Sequence, residues 1–184
     1  MFRNLFLTLL ALFIFENARS QVFNSPSVNL SVQAGYIAID PSFSTFYSEV
    51  GGEFITGEAG VFLGVNYNLR LNRDFSIVPE VSFISNKESV HYRVAGLVEY
   101  RIPSTGLYGV GGPQVNILSG NSLNPYDRAG FELTGGIGYD ISSSFYLEGR
   151  YSHELTNRLK PEDPFSNNDY YRFRSYSIGL GFRF

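Results

Sequence analysis

The chain has no cysteine, no tryptophan, one methionine and only two histidines. Without cysteine there is no disulfide, no thiolate metal site, no cysteine nucleophile and no lipid-modified N-terminal cysteine. Small exported domains usually need disulfides to offset a limited core, so stability must come from elsewhere. Positive charge is not in excess: the formal net charge is -3, which gives nucleic acid nothing to bind. No cofactor or metal motif is expected. Helical periodicity is missing beyond residue 27, and no stretch approaches the roughly 20 apolar residues of a membrane-spanning helix. The mean hydropathy of -0.06 suits a water-soluble domain. It suits equally a membrane barrel, whose lipid-facing and lumen-facing residues average out.

What is present begins with an export signal. Met1 to Asn4 carries Arg3; Leu5 to Phe15 reads LFLTLLALFIF; Glu16 to Ser20 ends in small residues at Ala18 and Ser20. That order of charged, apolar and small segments predicts a secretory signal peptide over residues 1–20, cleaved after Ser20. Residues 21–184 then form one domain, within the size range of a single fold.

Beyond residue 27 the chain alternates with period two, as strands with two unlike faces do. The clearest case is the last. Tyr176, Ile178, Leu180, Phe182 and Phe184 share one face; Ser175, Ser177, Gly179, Gly181 and Arg183 share the other. The same reading predicts eight strands, over 28–38, 57–69, 75–85, 90–102, 107–117, 130–141, 145–154 and 174–184. Tight turns separate strands two and three, four and five, and six and seven. Three of the other connections are long, 40–56, 118–129 and 155–173, and the one around 86–89 is short. Short turns on one rim and mostly long loops on the other mark an outer-membrane barrel. The expectation is an all-β fold, an eight-stranded antiparallel up-and-down transmembrane β-barrel with both termini on the periplasmic side. Pro79 and Pro113 lie inside predicted strands, where each removes a ladder donor. A bulge or irregular pairing is expected at both.

Sidedness follows from where the charges fall. On seven strands the apolar face carries no charge between its terminal aromatics. The opposite face carries Glu58, Glu80, Arg93, Glu99, Arg101, Glu132, Glu148, Arg150 and Arg183. An eight-stranded interior has space only for side chains or one small ligand. The bulky set Tyr36, Tyr67, Phe75, Phe83, Tyr92, Tyr100, Phe131, Tyr139, Phe145, Tyr151 and Tyr176 is therefore placed outside, as an aromatic girdle. Pairs such as Phe75 and Phe83, or Tyr92 and Tyr100, are eight residues apart. Eight residues span roughly 27 Å of strand, or about 21 Å across a membrane at 40° tilt, near the height of the apolar band. The lumen charges are expected to pair with one another, since an isolated charge in a narrow barrel is costly.

By these features the chain resembles the small barrels related to outer membrane proteins A and X. More closely it resembles the "porin family" of outer-membrane β-barrel-domain proteins common in Bacteroidetes, including the PorT-like proteins. The stretch Glu148-Gly149-Arg150-Tyr151-Ser152-His153-Glu154-Leu155-Thr156-Asn157 is similar to their penultimate strand. The resemblance implies outer-membrane lipid as surroundings. It also implies recognition by the barrel-assembly machinery through Gly179, Phe182 and Phe184. The resemblance says little about activity; a structural or interaction role, with the long loops meeting an extracellular or envelope partner, is favoured because the alternatives find less support in the residues. The alternatives are a narrow, porin-like passage through the lumen and a lipid-modifying enzyme. A lipid A deacylase of this shape carries His-x-Ser at the outer rim. Here Leu155 stands two residues after His153 where the serine should be, so no enzyme is expected. His91 reads as a solvated rim residue. The glycine run Gly109-Val110-Gly111-Gly112 lacks the Lys-Ser/Thr of a phosphate loop. The 160–169 segment lacks the ordered spacing of a calcium loop.

Overall fold

The computed structural model describes residues 28–43, 58–87, 89–119, 128–158 and 170–184. The expected signal peptide and most of the three long connections, including 160–169, lie outside the described residues. Eight strands run in chain order: β1 (Val28–Phe43), β2 (Glu58–Arg70), β3 (Phe75–Ser85), β4 (Val90–Arg101), β5 (Leu107–Ser119), β6 (Ala129–Asp140), β7 (Phe145–Glu154) and β8 (Tyr171–Arg183). Each pairs antiparallel with its neighbours, and β1 pairs with β8 to close the barrel. Closure leaves no edge, which is what hydrocarbon demands of a sheet.

The register keeps the alternation on one side of the wall all the way round. Outward-facing Val61, Leu63, Val81 and Ile137 are 53–73% exposed. Inward-facing Asn116, Glu132 and Glu154 are 0–1% exposed. In water this arrangement would be an inside-out protein with a very large apolar patch; in a bilayer it is the stable arrangement. The girdle aromatics all face outward. They meet across strands at two levels: Phe75 with Tyr100 and Phe145 with Phe182 near the short turns, and Phe83 with Tyr92 and Tyr151 with Tyr176 near the long connections.

The structure departs from expectation, or narrows it, in three places. First, β1 and β8 are longer than the alternation indicated, pairing out to Phe43 and Tyr171. The outward face of the added residues of β8 carries Arg172, next to Arg174 at the start of the expected strand, and these charges mask the apolar–polar contrast. Second, the prolines give the irregular pairing that was one of the two expected forms, and not a bulge. The β2–β3 register is the same on both sides of Pro79, but the rungs between Asn66↔Glu80 and Leu69↔Ile77 are missing. The β4–β5 ladder likewise skips between Ala95↔Gln114 and Val98↔Gly111, opposite Pro113. A missing donor opens the ladder without adding a residue, so pairing is irregular but not shifted. Third, the lumen is not uniformly ionic. Val78, Ala95, Leu97 and Val110 form one buried apolar cluster, beside the two proline gaps. Ile37, Ile39, Ile84, Tyr171 and Phe173 form another.

Candidate functional site

The lumen holds four tiers of contact between the short-turn rim and the rim of the long connections. At the lowest tier Asp140, the last residue of β6, accepts from Arg183 Nη1 at 2.6 Å and from Arg101. Arg101 Nε also lies 2.8 Å from Glu99, and Asn68 donates to Glu99 at 3.2 Å. The Arg183 guanidinium stands 4.3 Å from the Tyr146 ring centre, and that of Arg101 stands 5.4 Å from Tyr108. Cation and ring attract electrostatically at such distances, so the floor is both ionic and aromatic.

Above it, Arg150 grips Glu80 with both terminal nitrogens, at 2.9 and 2.8 Å, and reaches Glu148 with Nε at 2.5 Å. Planar bidentate pairing of this kind fixes orientation as well as charge. Gln33 donates to Glu80 at 3.4 Å, and the Tyr146 hydroxyl donates to Gln33 at 3.3 Å. The network thus ties β1, β3 and β7 across the barrel.

The third tier is built round Glu132. It accepts from Asn116 Nδ2 at 2.8 Å and from Gln114, with Arg93 Nε 3.7 Å away. Arg93 Nη2 donates to Ser175 at 2.9 Å. Because Glu132 can only accept, it turns the Asn116 amide so that Oδ1 faces His91 Nδ1 at 3.1 Å. Nδ1 must then carry the proton, and His91 Nε2 lies 2.9 Å from the Ser89 hydroxyl oxygen. The network, and not an observed hydrogen, assigns this tautomer. Asn86 Oδ1 in turn accepts from the Ser89 N–H at 2.6 Å and from its hydroxyl at 2.8 Å. The chain of contacts therefore ends in the β3–β4 turn. His91 is 1% exposed, which corrects its reading as a solvated rim residue.

The top tier is a clasp. Arg158, beyond the end of β7, folds back into the barrel and is fully buried. It pairs with Glu154 at 2.6 Å. It donates to the carbonyls of Arg128 at 3.1 Å and Asn116 at 3.3 Å, and its guanidinium lies 4.9 Å from the Phe173 ring centre. The other Glu154 oxygen accepts the Phe173 N–H at 2.8 Å. One arginine thereby joins β5, the entry to β6, β7 and β8. Beside it Phe173 belongs to the apolar cluster with Ile37, Ile39 and Ile84.

Glu80, Arg93, Glu99, Arg101, Glu132, Glu148, Arg150 and Arg183 are thus brought together as the alternation indicated. Glu58 has inward register opposite Ile39 but is only half-buried, at the upper rim. Asp140 and Glu154 were missed, although both sit on the polar parity of their strands. Arg158 left no signal, because it lies outside any alternating segment. His153, by contrast, faces outward, stacked on Tyr151 with ring centres 6.5 Å apart. Gly179 faces inward, where a Cβ would meet the Phe62 ring at 2.6 Å; Phe182 and Phe184 face outward and pack on each other.

Little space remains. Among the described residues, spaces of about 10 and 20 Å³ lie between these tiers, each of the order of a single water. Among the described residues, the lumen is filled from floor to clasp.

The family model of the outer membrane protein beta-barrel domain matches residues 5–184. Among solved structures, the fold is similar to that of Neisserial surface protein A, with a TM-score of 0.53 and 15% identity over 84% of this chain and 97% of that one. It is similar to Ail, the attachment invasion locus protein of Yersinia pestis, solved with the heparin analogue sucrose octasulfate, with a TM-score of 0.52 and 15% identity over 86% and 99%. It is also similar to the outer membrane enzyme PagL, with a TM-score of 0.53 and 13% identity over 83% and 97%. At these identities the likeness is one of fold. No curated protein sequence matches the chain.

Proposed function

Because this chain belongs to the outer membrane protein beta-barrel domain family, and so to the bacterial outer membrane, we propose that it serves as a closed scaffold. In this reading it presents its long connections, 44–57, 120–128 and 155–170, to an extracellular or envelope partner. Residues 1–20 direct export and are removed, and both termini face the periplasm. The observation that supports a scaffold over a passage is the filled lumen. Ion pairs at every tier and an apolar cluster under the clasp leave a solute no continuous path. Loops held on a rigid frame are where binding concentrates.

The lumen reading is tested by single-channel recording in planar bilayers. The purified barrel should give no steady openings. Regular, ion-selective steps would replace the scaffold with a narrow channel. The enzyme alternative has less support, since His153 is followed by Glu154 and Leu155 rather than by a serine. Sidedness is tested separately, by inserting an epitope in 155–170 and staining intact cells. Gly179, Phe182 and Phe184 are proposed to act as the assembly signal on the last strand.

A further inference from the structure

The arginines in the lumen (Arg93, Arg101, Arg150, Arg158 and Arg183) each have a carboxylate partner. Arg172 and Arg174 lie outside the lumen. Among the described residues, neither makes an ion pair. Both lie on the lipid-facing parity of β8, because Tyr171, Phe173 and Ser175 between and beside them are buried in the lumen. Arg174 is exposed and Arg172 half-buried, its guanidinium 5.5 Å from the ring centre of Tyr170.

Their height is set by Tyr176, which packs on Tyr151 at 5.1 Å in the upper aromatic level. Arg174 and Arg172 follow two and four residues further out on the same face. At about 3.4 Å per residue and 40° tilt they stand about 5 and 10 Å beyond Tyr176 along the membrane normal. That is the headgroup layer. On one side Arg174 is in register with His153 of β7, and on the other with Asp40 of β1. Asp40 is the one acidic residue on this face among the described residues, and it stays outside ion-pair distance.

The cluster occupies one sector only. The corresponding outermost lipid-facing positions of β2 to β6 are Ala59, Ser85, Val90, Ser119 and Ala129. At the opposite rim the outermost positions are apolar, among them Leu71, Ile102, Leu107, Ile141 and Phe184. Lys87 and Arg128 are also exposed at this rim, in the connections before β4 and β6, but among the described residues only β8 carries arginine or lysine on the lipid-facing parity of a strand.

We propose that Arg172 and Arg174, with His153 and the rings of Tyr151, Tyr170 and Tyr176, form a binding site for the phosphate of an outer-leaflet glycolipid of the lipid A type. A guanidinium forks onto phosphate oxygens through two N–H donors, and two guanidiniums on alternate residues of one strand can hold one phosphate from the same side. The tyrosine rings below present amphipathic surface to the sugar and the first acyl carbons. The choice of the outer leaflet rests on the sidedness proposed above, which the epitope experiment tests independently of binding.

The test uses the full barrel in nanodiscs doped with bisphosphorylated lipid A, with the same lipid A after phosphatase treatment, or with phosphatidylglycerol. Lipid released with the protein is counted by native mass spectrometry. Bisphosphorylated lipid A should be retained roughly tenfold or more over the dephosphorylated form. The R172Q/R174Q variant should lose that preference while keeping the heat-modifiable gel mobility of a folded barrel. Should that variant not fold, D40N serves instead: it keeps both arginines, removes the opposing charge and should raise retention. Equal retention by wild type and R172Q/R174Q, equal retention of phosphatidylglycerol and lipid A, or no response to D40N would overturn the site.

Discussion

Tyr146 lies across the backbone of Gly181, its register partner on β8, and Tyr108 lies in the same way across Gly138 on β6. A Cβ at either glycine would collide with the tyrosine ring. The two rings stand 6.4 Å apart, edge to face, under the Arg183 guanidinium. Glycine is thus required here for close approach rather than for backbone freedom, and its cost in a strand is offset by ring burial.

Gly181→Val and Gly138→Val should each destabilise the barrel by about 1–3 kcal/mol, the usual range for overpacking. Urea titration of the refolded barrel, followed by the heat-modifiable band on gels, measures this. Gly135 faces lipid, and a Cβ added there would meet open space, so Gly135→Val should stay close to wild type. Equal loss at all three sites would discredit the ring-over-glycine contact.

Arg150 and Glu80 supply a second test. Removing one partner strands a buried charge, so Arg150→Met should cost about 3–5 kcal/mol. The double variant E80L/R150M should recover part of that loss, because Glu80 is no longer stranded, while Glu148 still lacks its Arg150 partner. Unfolding midpoints of the single and double variants form the cycle. Additive losses would mean that the pair is not coupled as its geometry implies.

The clasp at Arg158 closes the lumen from above, but it is one of several closures. Arg158→Ala should lower stability, since Glu154 is left buried without its guanidinium. Planar-bilayer current should stay at the baseline, because the Arg93–Glu132, Arg150–Glu80 and Arg101–Asp140–Arg183 tiers remain below. Steady openings in this variant would identify Arg158 as a gate.

At Pro113 the β4–β5 ladder lacks a donor in the part of the wall that faces lipid. Pro113→Ala restores an N–H towards Gly96 and should raise stability by about 0.5–1.5 kcal/mol, the net worth of one hydrogen bond. A fall in the unfolding midpoint would place the donor towards β6 instead.

Deleting Phe184 should reduce the amount of barrel inserted in the outer membrane, as read by fractionation and surface labelling. The loss should exceed that for Phe131→Leu, which changes a girdle ring without touching the last strand. Normal insertion without Phe184 would remove it from the assembly signal.

Much of the fold was legible because a membrane barrel obeys a strict period. Each lipid-facing side chain alternates with a lumen-facing one, so Tyr176 to Phe184 announced β8, and the eightfold recurrence announced closure. The inner list was legible for the same reason, and Glu80, Glu132 and Arg150 could be assigned by parity. What escaped were residues on which parity is silent or conflicts with chemistry. Ile37, Ile39, Ile84 and Leu97 are apolar yet inward, while Arg172 and Arg174 are charged yet outward. Arg158 belongs to no strand.

The sequence by itself determined which face of each strand meets hydrocarbon, because an unpaired charge cannot rest among acyl chains while an aromatic ring at the interface can. The tertiary structure decided which charge finds which partner. Glu80 and Arg150 are 70 residues apart, and only closure of the barrel and its register bring them within 3 Å. It also decided how the described lumen is packed, since a filled interior depends on side chains meeting across the axis, a distance that no period along the chain encodes.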